Sequence, residues 1–180
     1  MTSYKIIALL GYYGAGKKTL IDYVISHSHN YHKIIKETTL PPPSPINWEA
    51  SFFNYQSIEE FTAELLEGNI IEAVPKDGDF EGLNKNSLVE DKINIGIFNP
   101  EEVQYLLEYK NLQVLPVFIA AGSKERLLRK LNQEEFPHCV EICEQFLKDK
   151  EIYCGDDDFD FKVYNNTHDE YELFLLKLND

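Results

Sequence analysis

Arginine is the scarcest charged residue in this chain. Only Arg126 and Arg129 are present, and lysine supplies the rest of the 17 basic side chains. Acidic residues number 31, so the formal net charge is −14. A field of that sign opposes non-specific binding to DNA, RNA or an anionic membrane. It leaves room for a small anionic ligand, whose site is set by local groups. Cysteine is sparse too. Three cysteines, odd in number and widely spaced, exclude a disulfide framework and suit a reducing compartment. No apolar run approaches the ~20 residues of a membrane span. The N-terminal "MTSYKIIALLG" is too short for a secretory signal and carries no cleavage pattern. The expectation is a soluble, cytoplasmic protein.

What is present is a domain's worth of core. The chain has 180 residues, 43% of them hydrophobic, which suits one domain with a small insert. Residues 4–11 form a nearly continuous apolar run ending in glycine, the mark of a buried parallel strand. Helical spacing follows at Leu20, Ile21, Val24 and Ile25. "KIIKETT" reads as one short strand. The prolines of "LPPPSP" then exclude helix and central strand, so a boundary is expected there. A small unit follows: a strand in "ASFFNY", a helix in "SIEEFTAELLEG" with a serine cap and glycine stop, and strands in "NIIEAV" and "GDFEG". A short helix is expected in "NKNSLVEDK". The chain then alternates strand "INIGIF", helix "PEEVQYLLEYK", strand "LQVLPVFIAA", two amphipathic helices over 123–133 and 137–153, strand "FDFKVYNN" and a closing helix "DEYELFLLKL". Alternation of this kind predicts an α/β fold with a parallel core sheet.

The stretch "GYYGAGKKTL" joins the first strand to the first helix. It matches GxxxxGK in the strand–loop–helix context that a phosphate-binding loop requires. Gly11, Gly14 and Gly16 let successive N–H groups face one concavity. The backbone of Gly14, Ala15 and Gly16 is expected to donate to phosphate, and the helix N-terminus adds positive potential. Lys17 brings a point charge for the β- and γ-phosphates. Lys18 stands where a hydroxyl is usual, and Thr19 carries the hydroxyl one step later. The side chain of Lys18 is expected to point to solvent on the first helical turn.

With these pieces in order, the chain resembles guanylate kinase over its whole length. "IIALLGYYGAGKKTL" is similar to that family's first strand and P-loop, and GKxT endings occur among nucleoside monophosphate kinases. "ETTLPPP" is similar to the TTRxPR segment, "FNYQSIEEF" to YxFvsxeeF, and "LLEGNIIEAVPKDGDFEG" to egxxlExaxxxGxxYG. "VLPVFIAAGSKERLLRKL" and "FDFKVYNN" resemble the later strand–helix and final strand. The resemblance implies a P-loop NTPase three-layer fold. Its core would span 1–37 and 86–180, with a helical lid at about 130–145 and a nucleoside-monophosphate-binding insert at 38–85. It implies ATP as donor and Mg2+ held largely through water, with no protein metal cage. Thr19 would serve the α-phosphate, Glu72 would read the acceptor base, and Asn165 or Asn166 would lie near the adenine. The partner would be a small-molecule nucleotide.

The pattern is broken where the acceptor phosphate should bind. The two arginines of TTRxPR fall on Leu40 and Pro43, beside Thr39. The tyrosine of YxF falls on Phe53, and that of YG on Glu81. The aspartate ending the next strand falls on Phe98 or Asn99. The lid arginines fall near Glu134, Glu144 and Gln145. Phosphoryl transfer depends on positioning and positive charge, so other cations must substitute. Arg129 and Lys130 stand before the lid, and Lys36 is a candidate to replace an acceptor-site arginine. Three readings stay open. One is an ATP-dependent nucleotide phosphotransferase acting on an acceptor other than standard GMP. The second is a degenerate relative that binds nucleotide or a protein partner without turnover. The third is guanylate kinase activity carried by substituted residues. Metal binding by His27, His29 and His32 is disfavoured against a polar loop. Cys139 and Cys143 read as helix-face core packing, "GDDDFD" as a solvated turn, and Trp48 as packing over the insert.

Overall fold

The computed structural model describes residues 3–41, 51–76, 78–133, 139–153 and 162–165. Five strands form a parallel sheet in the order β2-β7-β1-β8-β9. They are β1 (Tyr4–Leu10), β2 (Tyr31–Lys33), β7 (Ile93–Ile97), β8 (Leu112–Ala120) and β9 (Lys162–Tyr164). Central β1 is buried from Ile6 to Leu10. Strands covered on both faces must be apolar throughout, which is why this run shows no alternation. One face packs Ile7 and Leu9 against Leu20, Ile21 and Val24 of α1 (Lys17–His27). The other packs Ile6, Ala8 and Leu10 against Val103 and Leu106 of α3 (Pro100–Glu108).

A second sheet has the order β4-β3-β6-β5. It comprises β3 (Lys36–Thr38), β4 (Phe53–Tyr55), β5 (Ile70–Lys76) and β6 (Asp79–Asn84). The stretch expected as one strand, "KIIKETT", is therefore two. Tyr31–Lys33 pairs with β7 in the core sheet, whereas Lys36–Thr38 pairs with β4 and β6. The break falls at Ile34, which is buried against Leu83 and Phe98. Packing, not local propensity, turns the chain from one sheet to the other. The helix expected in "NKNSLVEDK" shrinks to a single 3-10 turn, Lys85–Ser87, with Asn84 accepting from the Asn86 N–H.

Helix α2 (Ile58–Leu66) is opened by a reciprocal capping box between Ser57 and Glu60, and α3 by one between Asn99 and Glu102 with Pro100 in the first turn. Both boxes satisfy donors that a bare helix end leaves open. Helices α4 (Ser123–Gln133) and α5 (Cys139–Ile152) complete the described elements. Cys143 is exposed on α5, which corrects the expectation that it packs in the core. His27 stacks on Tyr23, and the His32 ring meets the Ser87 carbonyl. Trp48, the acidic turn at 155–160 and the closing helix at 169–178 lie outside the described residues.

Asn94 shows how much a single buried polar group organises. It is fully buried in β7. Its Nδ2 donates to the carbonyls of Lys5, Val89 and Lys92, and its Oδ1 accepts from the Val89 N–H. Asn94→Ala leaves these backbone groups unsatisfied, and the expected loss is about 3 kcal/mol. Urea unfolding of parent and variant checks it, and a loss under about 1 kcal/mol contradicts this account of the connection into β7.

Candidate active site

The loop that leaves β1 lies at the carboxyl end of the core sheet, between β7 and β8. Gly11, Gly14 and Gly16 have φ of 133°, 78° and 94°. These are left-handed values that side chains resist. A Cβ at Gly11 would also collide with the Ile119 carbonyl. The loop is thus pressed onto the end of β8, and only glycine allows it. Helix α1 follows with no side-chain cap and no acidic residue in its first turn. Helices α2 and α3 bring their own capping groups, so α1 is the helix among these three that suits an external anion.

Side chains from distant segments brace this loop. The Tyr153 hydroxyl accepts from the Gly11 N–H at 3.1 Å, and Asp149 accepts from the Tyr13 N–H. Arg126 donates to the Tyr13 carbonyl at 2.9 Å, lies 3.6 Å from the Asp149 carboxylate, and packs over the rings of Tyr12 and Phe146. Burial pushes the Tyr153 hydroxyl up to about 12, so it stays protonated. Asp149 and Tyr153 were invisible as site residues in sequence. Their one signal is the i, i+4 spacing that puts both on one side of the chain.

Lys17 folds back over the loop, donating to the Gly11 carbonyl and to the Tyr12 carbonyl. Burial lowers its pKa to about 8, Asp149 opposes the shift, and Lys18, Arg126 and Lys130 reinforce it. Lys18 is half-buried, with its ammonium 5.4 Å from the Phe52 ring. The expectation of a solvent-directed Lys18 is corrected, because Phe52 offers it an apolar face on the cavity side. Thr19 is exposed and lines the same cavity. Ala15 is buried, and its carbonyl accepts from Asn165 Nδ2 at 2.6 Å. Asn165 thereby braces the loop from behind; its own carbonyl accepts from Arg129 Nη2 at 2.7 Å. Asn166 lies outside the described residues.

A cavity of about 970 Å³ joins this loop to the second sheet. Gly11, Gly14, Gly16, Lys17, Arg129 and Asn165 line one side. Lys36, Phe53, Lys76, Glu81, Asn99 and Glu102 line the other. Lys36 is buried, forming a close ion pair with Glu102 and sitting 3.4 Å from Glu81. Burial alone would lower its pKa, but Glu102, Glu81 and Glu72 outweigh that and hold it above the ordinary lysine value. The ammonium is charged and already engaged. Glu81 also binds Lys76, at 2.6 Å.

Three predicted residues do not line the cavity: Ala15, which is buried, Thr39 and Glu72. The Thr39 hydroxyl donates to Asp79 at 2.8 Å and accepts from the Phe80 N–H at 3.0 Å, closing the β3–β6 edge. Glu72 is buried behind the lining, and neither carboxylate oxygen has a hydrogen-bond partner. Burial, then Glu102, against Lys36 and with Glu81, raises its pKa to about 8. Of the lid positions, Gln145 lines the cavity, Glu144 is exposed, and Glu134 lies outside the described residues. Phe98 is buried in the core and Asn99 serves as the α3 cap. The capping box over 99–102 was readable in sequence; the second bond of Glu102, to Lys36, was not. Among the described residues no cluster of three or more His, Cys, Asp or Glu side chains could hold a metal ion.

Comparison with known proteins agrees with this geometry. No protein-family model matches the chain. The guanylate kinase of Wolbachia sp. subsp. Brugia malayi is 26% identical over 163 residues, covering 87% of this chain and 82% of the relative. That of Trichormus variabilis is 24% identical over 179 residues, covering 97% and 87%. The crystal structure of guanylate kinase from Anaplasma phagocytophilum superposes with a TM-score of 0.67 at 17% identity, covering 99% of this chain and 86% of that one. The chain resembles guanylate kinases over most of its length, and its fold is that of a P-loop NTPase with a parallel core sheet.

Two pH effects follow. An anion on the loop would restore the charge of Lys17, so anion binding there is expected to take up protons near and above about pH 8 and to weaken as pH rises further. Calorimetry in buffers of different ionisation enthalpy measures this, and proton release on binding contradicts it. For Glu72, the folded chain retains a proton between the ordinary value of 4.5 and about 8, which the unfolded chain has released. Stability therefore falls as pH rises through that window. Glu72→Gln is expected to flatten the fall, raising the unfolding midpoint more at about pH 8.5 than at about pH 5. Equal shifts at both pH values would show that Glu72 does not titrate this way.

Proposed function

We propose that this protein is a guanylate-kinase-like phosphotransferase that moves the γ-phosphoryl group of ATP to a nucleotide-like acceptor other than standard GMP. One observation carries the reading. A glycine-built phosphate loop and the charged face of a second sheet line opposite sides of one cavity. Such a cavity has room for two substrates, and transfer between them needs positioning more than covalent chemistry.

In this reading the loop backbone and the α1 N-terminus hold the donor phosphates. Lys17 leaves the Gly11 and Tyr12 carbonyls and turns to the β- and γ-oxygens. Mg2+ would arrive with the triphosphate and remain largely water-bound, with Thr19 the hydroxyl of the first helical turn. When bound it would supply positive charge against that developing on the transferred phosphate. Arg129 is placed to act on the transferring group: it lines the cavity, and its buried Nη1 has no hydrogen-bond partner. Arg126 supports the loop instead. The domain roles follow: residues 38–85 receive the acceptor, and the segment at about 130–145 closes over both substrates.

A second reading is a binder without turnover. It is favoured by the engagement of Lys36 with two carboxylates, which leaves the acceptor side without the cations that the lost arginines supplied. An arginine acting on transferred phosphoryl is worth about 10³–10⁵ in rate.

The test is calorimetric titration with Mg-ATP, then an ADP-release assay over a panel of acceptors. Mg-ATP is expected to bind, and Lys17→Ala to weaken it at least tenfold. Arg129→Ala is expected to lower kcat by about 10³ with a much smaller change in ATP affinity. Absence of ATP binding at millimolar concentration overturns the kinase reading and the nucleotide-binding form of the second. Binding with no turnover on any acceptor leaves the second.

A further inference from the structure

The two sides of the cavity differ in charge. On the loop side, Lys17, Lys18, Arg129 and Lys130 converge with Asp149 and Asp22. On the opposite side the ionisable groups lining the cavity, among the described residues, are two lysines and two carboxylates, and they are paired with each other. Glu81 Oε2 lies 3.4 Å from Lys36, and its Oε1 lies 2.6 Å from Lys76. Glu102 takes the other contact of Lys36, and its second oxygen accepts from the Asn99 N–H at 2.7 Å. Glu81 and Glu102 are both buried. Glu72 stands behind them.

A phosphate brought to this side would meet lysines already neutralised by carboxylates. It would also meet the carboxylates themselves, in a poorly solvated place where like charges repel strongly. A neutral hydroxyl meets the opposite situation. It can donate to a carboxylate oxygen that has a further lone pair, and it brings no charge. Its chemistry needs such a partner as well. A hydroxyl must lose a proton when it takes a phosphoryl group, whereas an ionised phosphate oxygen has none to lose.

Resting on the phosphotransferase reading above, we propose that the acceptor is an uncharged nucleoside and that Glu81 selects it against the corresponding monophosphate. The sugar hydroxyl oxygen bonds to the γ-phosphorus, the bond from that phosphorus to the bridging oxygen of ADP breaks, and the hydroxyl proton passes to the Glu81 carboxylate and on to water. Phe53 offers a half-buried ring on this wall for the base. Lys76, with a side chain 47% exposed, holds Glu81 from the open side.

The experiment uses the full chain with a non-hydrolysable ATP analogue and Mg2+. Calorimetry compares each common nucleoside with its 5′-monophosphate, and the same pairs are then assayed with Mg-ATP for ADP release. The expected result is that a nucleoside binds at least tenfold more tightly than its monophosphate and is converted to it. Glu81→Gln is expected to narrow that preference at least tenfold by removing the negative charge at nearly constant shape. Should that variant not fold, Lys76→Met, at a half-exposed position, is expected to widen the preference about threefold by leaving Glu81 less compensated.

Turnover of a monophosphate in preference to its nucleoside overturns this inference and leaves the kinase reading standing. Preferred nucleoside binding without turnover overturns the kinase reading and keeps the selectivity. Binding of neither class, or a preference that neither substitution moves, overturns the selectivity.

Discussion

The loop after β1 is held from outside itself. Its glycines remove the steric barriers to the required backbone shape, but they do not choose that shape from among the many open to glycine. Side chains choose it. Tyr153 and Asp149 take the N–H groups of Gly11 and Tyr13, Arg126 takes the Tyr13 carbonyl, and Asn165 takes the Ala15 carbonyl. The four come from the end of α5, from α4 and from the residue after β9. The loop's shape and the cavity wall it forms depend on this grip. It also explains a use of the scarce arginine. Arg126 binds a carbonyl, a carboxylate and two aromatic faces at once, which lysine's compact ammonium cannot do.

The second constraint is electrostatic. A chain with few arginines has placed a buried lysine among glutamates on the second-sheet side of the cavity. Lys36 stays charged there only because Glu102 and Glu81 compensate the cost of its burial. The same pairing withdraws its charge from any ligand. Lysine has thus replaced arginine in composition without replacing it in function, since the ammonium is turned toward the protein. On the loop side Lys17, Lys18, Arg129 and Lys130 line the cavity, and Lys17 bonds to backbone carbonyls rather than to carboxylates. The two sides of one cavity use the same residue type in different ways.

Much of the scaffold was legible beforehand because it follows from local rules. The apolar run of β1, the glycine pattern of the loop and the serine cap of α2 each act through backbone sterics or hydrogen bonds within a few residues. The errors fell where distant packing overrides such rules. "KIIKETT" has the propensity of one strand, but burial of Ile34 splits it between two sheets. Lys18 and Cys143 were assigned by neighbourhood in sequence, and their surroundings come from elsewhere in the chain.

The sequence by itself determined that a glycine-rich turn joins strand to helix, since Gly11, Gly14 and Gly16 permit the left-handed backbone the turn needs. It also determined that arginines are missing from the acceptor and lid positions. What Lys36, Glu72 and Glu81 do was decided only by tertiary structure. They lie far apart along the chain, and the charge state and availability of each depend on the others' distances and on their shared exclusion from water. Coulomb interactions in a buried site are set by ångströms across space, which residue spacing along a strand does not encode.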